Sequence, residues 1–202
     1  MYEPEQPRPG GIDRPGSVLF VEGESDRAAV QALAAQRELD LQGAGVELVV
    51  LGGAHAIGRH LRALGDRGDG RRLTGLYDAG EEEVFRRALA RHGFAAIDGR
   101  PQLEAHGFFC CDRDLEEELI RALGAGAVLS VVAAQGDDQR FRTLAHQPEW
   151  RDRPVEAQLR RFMGSGSQRK IRYGRLLVQA LAPDCIPRPL DAVLQAACAA
   201  SV

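Results

Sequence analysis

The 202-residue sequence predicts an α/β domain: a mainly parallel four-stranded sheet flanked by helices, continued by a C-terminal helical extension. Three observations carry this reading. Short apolar runs rich in β-formers alternate with helical stretches of roughly 10 to 15 residues, the pattern of βαβ units. From Val155 onward the pattern is helical throughout. The composition, 44% apolar and 27% charged, is that of a globular chain long enough to bury a core.

The elements follow in order. Residues 1–16, MYEPEQPRPGGIDRPG, are acidic and rich in proline and glycine, and read as a disordered tail and not a signal peptide. Val18–Val21 forms the first strand. Glu22 ends it, Gly23 gives the backbone freedom to turn, and Asp26–Glu38 is an alanine-rich amphipathic helix. Further strands are expected at Val46–Leu51, Leu73–Tyr77 and Phe108–Cys111, with helices at Ala56–Leu64 and Glu81–His92. LGDRGDGRR and IDGRPQ read as turns. A helix at Leu115–Leu123 precedes Ala127–Ala133, an apolar run that periodicity leaves open between strand and helix. Helices close the chain at Val155–Met163, Gln168–Leu181 and Leu190–Ala200, the first two separated by GSGS. The expected organisation is a tail (1–16), an α/β domain (17–135) and a helical extension packed on it (136–202).

Composition narrows the function classes. No apolar run approaches the roughly 20 residues of a membrane span, so no membrane partner is expected. The four cysteines show no CxxC spacing, and the adjacent Cys110 and Cys111 point to opposite faces of a strand. They read as reduced core residues of a cytoplasmic protein, not as a zinc site. The net charge of −3 is unevenly spread. Residues 1–150 carry 17 basic and 25 acidic side chains, whereas Arg151–Arg175 holds seven arginines and Lys170 against Asp152 and Glu156. An acidic body with a basic flank suits metal-bridged phosphate binding, and equally suits a solvated helical surface.

In an open parallel sheet, ligands gather beyond the carboxyl ends of the strands. Glu22 follows the first strand, Asp78 the third, and Asp112 and Asp114 the fourth. An acid at a helix start is favourable to the helix dipole by itself. Acids ending three strands at one edge need more, because like charges brought together are costly unless a cation joins them or their pKa values rise. A magnesium site is the economical account.

VLFVEGESD, LTGLYDAGEE and FFCCDRDLEEEL together resemble a Toprim domain, the catalytic fold shared by topoisomerases, bacterial primases and certain nucleases. Within that group they are most similar to the nuclease part of the overcoming-lysogenisation-defect (OLD) family of ATP-dependent endonucleases. The likeness spans about residues 17–180 and implies a Rossmann-like Toprim fold. It matches Glu22 and Asp26 to the first acidic motif, Asp78 to an Asp-x-Asp motif, Asp114 and Glu116 to an Asp-Leu-Glu motif, and Lys170 to a late lysine. It implies Mg²⁺ or Mn²⁺ held chiefly by Asp78 and Asp114, with Glu22 as ligand or proton carrier. Asp26 and Glu116 would serve a second ion. Lys170, the only lysine in the chain, would neutralise charge on the phosphorus, and Arg169 and Arg172 beside it would contact nucleic-acid phosphate, with DNA the first expectation.

The sequence departs from that pattern twice. Gly80 stands where the second aspartate of Asp-x-Asp belongs, with Glu81 or Glu82 as substitutes within reach. A rival register instead pairs Asp112 with Asp114 on one face of a strand. Second, the chain has no Walker A motif: GGAHAIGRH offers Arg59 and His60 in place of Lys and Ser or Thr. It reads as a glycine turn bordering the site, and any ATPase is expected from a separate partner. His55 in that turn is a candidate phosphate contact. Cys111, Trp150 and Phe162 read as packing residues, and Tyr173 is not expected to be a nucleophile. The expected function is Mg²⁺-dependent phosphodiester cleavage. The alternatives are a non-catalytic Toprim binding module and a phosphohydrolase acting on a small nucleotide.

Overall fold

Strand β1 (Ser17–Val21) is buried at every residue, which explains why SVLFV is apolar without alternation: a strand covered on both faces has no solvent side. The structure, a computed structural model, describes residues 16–65, 68–94 and 97–199, so the expected tail lies, Gly16 apart, outside the described residues. β1 pairs with β2 (Val46–Val50) and β3 (Arg72–Asp78), and β3 with β4 (Phe108–Cys111). The order is β2-β1-β3-β4 and every pair is parallel. Register sets Phe20 beside Gly75 and Asp78 beside Cys111, so the carboxyl ends of all four strands meet at one edge. The expected α/β class, parallel sheet and flanking helices are borne out.

Helices α1 (Glu24–Gln36), α2 (Ile57–Leu64), α3 (Glu82–Arg91), α4 (Arg100–Ala105) and α5 (Leu115–Leu123) surround the sheet. Helices α6 (Ala125–Ala134), α7 (Asp138–Ala145), α8 (Val155–Met163), α9 (Ser167–Ala180) and α10 (Arg188–Cys198) follow. The period-2 alternation of β1 sorts two cores. Leu19 and Val21 pack with the buried stripes of α1, α5, α9 and α10, while Val18 and Phe20 pack with those of α2, α3 and α4. The late helices therefore share a core with the first strand, and the buried Ser17 hydroxyl donates to the Ala197 carbonyl at 2.7 Å.

Three segments differ from their sequence expectation or resolve it. The open run Ala127–Ala133 lies within α6. IDGRPQ contains the start of α4, because Pro101 sits in the first helical turn, where its missing N–H is harmless, and Leu103 is wholly buried. Glu81 ends a 3₁₀ turn, Ala79–Glu81, instead of opening α3.

α7 was not anticipated, since Phe141 is its one buried residue and its apolar stripe is too thin to read. It is anchored by Asp137, which is 1% exposed. The Tyr173 hydroxyl donates to Asp137 at 2.9 Å, Arg140 at 3.1 Å, and Arg172 also pairs with it. Burial pushes the Asp137 carboxyl up, but these donors outweigh it and hold the group below its ordinary value. Asp137→Ala is expected to destabilise the protein by about 2 kcal/mol, because the buried Tyr173 hydroxyl loses its acceptor. Urea unfolding checks this; an unchanged midpoint would show the network to be idle.

Candidate metal centre

Glu22 is the first residue past β1, and its backbone is fixed by the turn after β2. Gly52 and Gly53 both donate N–H to the Glu22 carbonyl, at 3.1 and 3.3 Å. Reaching it requires φ of 73° and 110°, a region that favours glycine. The chain then turns at extended Gly23 into α1, where Asp26 returns its Oδ2 to the Gly23 N–H at 2.9 Å. Asp26 is thus a capping residue as well as a member of the acidic group.

Asp78 ends β3, and Asp114 is the N-cap of α5, accepting the Glu117 N–H on Oδ1 at 2.8 Å. Its Oδ2 accepts from Arg160 Nε at 2.6 Å. Glu116, 5% exposed, pairs with Lys170 Nζ at 3.3 Å from the first turn of α9.

The electrostatics show which of these groups face one another. Asp78 is pushed up to about 8, by burial first and then by the charges of Glu22, Asp26, Asp114 and Glu81. Glu81 rises to about 7 through burial and a shared hydrogen bond with Glu22. Asp26 is raised by burial, against the Gly23 hydrogen bond and Lys170, with Glu22 and Asp114 adding to the rise. Glu116 rises to about 7, burial prevailing over Lys170. Burial lowers Lys170, yet Glu116, Asp26 and Asp114 hold it above its ordinary value, so it is a firm cation. Glu22, Asp26, Asp78, Glu81, Asp114, Glu116 and Lys170 form one electrostatic neighbourhood across four chain segments.

Other candidate residues lie elsewhere. Asp112 is exposed and pairs with Arg100 at 3.3 Å and Arg121 at 3.5 Å, which gives the rival register no support. Arg169 donates to the Phe162 and Ser165 carbonyls at 3.3 Å and stacks over Phe162, and Arg172 pairs with Asp137. Both arginines are engaged inside the fold. Tyr173 and Phe162 are buried packing residues, Cys111 is buried with its thiol pushed well above the usual range, chiefly by that burial, and Arg161 lies 6.0 Å over the Trp150 ring. Arg160 was not singled out as a site residue. Nothing in sequence marks it, because it meets Asp114 only through the packing of α8 on α5, 46 residues apart.

The donor chemistry fits a hard divalent cation. The set is carboxylate oxygen, Glu81 Oε2 is buried with no partner, and ionisation of Asp78 is opposed by burial and four neighbours. Among the described residues no three His, Cys, Asp or Glu side chains stand close enough to ligate one ion as they are. Asp114 and Glu116 lean to Arg160 and Lys170 instead. Among the described residues no helix is long and apolar enough to cross a membrane.

The site thus lies on a parallel β2-β1-β3-β4 sheet, with acids at the ends of β1 and β3 and in the loop after β4. Residues 16–68, which hold Glu22 and Asp26, match the family model described as "Overcoming lysogenization defect protein-like, TOPRIM domain". The fold as a whole is similar to the C-terminal region of the Xanthomonas campestris pv. campestris OLD protein, in its platinum-phased structure (TM-score 0.68, 22% identity, 91% of this chain and 92% of that one). It is also similar to the mercury-phased structure of the same region (0.67, 19%, 93% and 96%) and to the C-terminal region of the Burkholderia pseudomallei OLD protein (0.63, 19%, 90% and 96%). No curated protein matches in sequence. The chain is thus similar to an OLD-like Toprim domain over residues 16–68, and in fold to the C-terminal regions of OLD proteins.

Proposed function

We propose that this domain is a divalent-metal-dependent endonuclease, cutting phosphodiester bonds of nucleic acid, with DNA as the substrate and a separate ATPase as partner if the reaction is ATP-coupled. The observation that supports this most is Asp78, buried at a strand end among Glu22, Asp26, Asp114 and Glu81. Glu22, Asp78 and Asp114 would hold one Mg²⁺ or Mn²⁺, and Asp26 and Glu116 a second, with Glu81 in the place of the missing second aspartate. When bound, such ions supply positive charge to phosphate oxygens and a nucleophilic water at neutral pH. Glu22, which shares a hydrogen bond with Glu81, would carry the proton of that water. Lys170, held as a cation beside Glu116, would offset charge growing on the phosphoryl group. The domain division at residue 135 is part of the same proposal: 17–135 carries the carboxylates, and 136–202 brings in Lys170 and Arg160.

One observation favours a second reading, a binding module without turnover. Arg160 and Lys170 already neutralise Asp114 and Glu116 without any metal. Supercoiled plasmid incubated with Mg²⁺, Mn²⁺ or EDTA separates the two. Metal-dependent nicking is expected, lost in Asp114→Ala and reduced about 10²- to 10³-fold in Lys170→Met, the size seen when one transition-state donor is removed. Binding of plasmid without nicking under any metal would leave the second reading standing, and Asp114→Ala protein nicking at the wild-type rate would remove the first.

A further inference from the structure

Helices α2 and α3 run side by side on the sheet face opposite α1 and α9, and between them lies a groove of about 570 Å³. Arg59 and Arg62 line it from α2, and Arg87 and Arg91 from α3, with His55 at one end and His92 at the other. Glu83 is its one acidic lining residue, and that carboxylate is taken up by Arg86 and Arg87 at 2.6 and 2.5 Å.

Unpaired arginines gathered in one place set this groove apart from the rest of the surface. Most described arginines are ion-paired, among them Arg27, Arg37, Arg100, Arg121, Arg160, Arg172 and Arg188. Arg59, Arg62 and Arg91 make no ion pair with a described carboxylate, are exposed, and all line this one groove, whereas Arg153, Arg161 and Arg175, also exposed and without an ion pair, are spread over the turn before α8, α8 and α9. Three unpaired cations left together repel one another, an arrangement that a polyanion relieves.

The groove also has a direction. Its His55 end follows Gly53, whose N–H bonds the Glu22 carbonyl, and its α3 wall begins just after Glu81, beside Asp78. It leaves the acidic edge and runs down α3, whose 10 residues extend about 15 Å. A nucleic-acid strand, with about 3.4 Å of axis per phosphate, sets about four phosphates over that length.

We infer that the α2–α3 groove is a track for the sugar-phosphate backbone of nucleic acid, leading a strand away from the acidic centre, with Arg59, Arg62 and Arg91 on the phosphates. This deepens the proposed function by naming the surface that holds the substrate, and it places that surface away from the arginine-rich stretch at 151–175. Because the contacts are to phosphate, they carry no base sequence.

The test measures binding apart from cutting. Fluorescence anisotropy with a labelled 20-base-pair duplex in EDTA, across a range of NaCl, gives the affinity and its salt slope for the full chain. Each phosphate contact adds about 0.9 to the slope of log K against log salt on duplex DNA. The Arg59→Gln/Arg62→Gln/Arg91→Gln protein is expected to lose between about two and three units of slope and at least about tenfold in affinity at low salt. Arg142→Gln/Arg151→Gln/Arg153→Gln, with the same charge removed from elsewhere, is expected to keep the wild-type slope. An unchanged melting temperature shows that the groove variant folds; if it does not, the three single variants are each expected to lose about one unit. Wild-type slope in the groove variants, equal loss in the control, or an acidic polypeptide displacing DNA at matched charge would each overturn the inference. A wild-type protein that binds through the groove and never cuts would uphold it while removing the endonuclease reading.

Discussion

Asp78→Asn is expected to lower metal-dependent nicking by at least about 10³-fold and, in the same protein, to raise stability in EDTA at pH 8. Few substitutions move activity and stability in opposite directions, and here one cause produces both effects. Asparagine keeps the shape of the side chain but removes a negative charge from a half-buried position faced by four other acids. A divalent ion needs that charge, whereas the metal-free fold is strained by it.

The pH dependence follows from the same imbalance. Asp78 binds its proton up to about pH 8 in the folded state and only to about 3.8 when unfolded. Glu81 and Glu116 behave alike, retaining protons to about 7 against 4.5. The folded state therefore holds more protons between about pH 4 and 8, and stability is greatest below that window and falls as pH rises through it. Each retained proton is worth about 1.4 kcal/mol per pH unit, and with partial solvent access the loss due to Asp78 is on the order of 2 to 3 kcal/mol. Denaturant unfolding in EDTA at pH 5, 7 and 9 measures it. The wild type should weaken with pH and Asp78→Asn should weaken less. A wild type equally stable at pH 5 and 9 would show that the acids do not crowd one another.

The sheet was legible because a central parallel strand has one composition open to it. VLFV and LTGLY are buried on both faces and almost wholly apolar, and acids directly after such runs are visible as a break in pattern. Glu22, Asp78 and Asp114 could thus be placed on one edge from order alone. What each carboxylate touches could not. Asp114 meets Arg160 and Glu116 meets Lys170 through the packing of α8 and α9 on α5 and α1, and periodicity does not say which helices become neighbours.

Charge counting leaves the available cations open for a related reason. The stretch from Arg151 to Arg175 is the most basic in the sequence, yet Arg160, Arg169 and Arg172 are spent on Asp114, backbone carbonyls and Asp137. Arg153, Arg161 and Arg175 make no ion pair but are spread along the chain, whereas three unpaired cations gather between α2 and α3, where the sequence IGRHLRAL looks unremarkable. Net charge of a segment is additive along the chain, but availability to a ligand depends on pairing across it.

Gly174 carries the second large effect, because it sets the distance between the helix that brings Lys170 and the helix that brings Asp26. A Cβ placed on Gly174 would stand 2.8 Å from the Ser25 carbonyl oxygen, a backbone atom that can move only if α1 moves. Lys170 lies four residues earlier, one turn along the same face of α9, and Ser25 directly precedes Asp26. Any side chain at 174 therefore wedges α9 from α1 at the point where lysine and acids meet. Gly174→Ala gains about 1 kcal/mol of helix propensity against an overpacking term of about 1 to 3 kcal/mol, so it is expected to lose no more than about 2 kcal/mol. Gly174→Val has no comparable gain and is expected to lose about 2 to 4 kcal/mol. Gly126→Ala in α6, where a Cβ meets nothing within 4 Å, should instead stabilise by about 0.5 to 1 kcal/mol. Because the alanine variant stays folded, its activity is informative: nicking is expected to fall at least tenfold while duplex binding in EDTA is unchanged, since the α2–α3 groove lies on the other face of the sheet. Alanine at 174 with full nicking activity would mean that Lys170 does not depend on the closeness of the two helices, and that its position in the site is held by Glu116 alone.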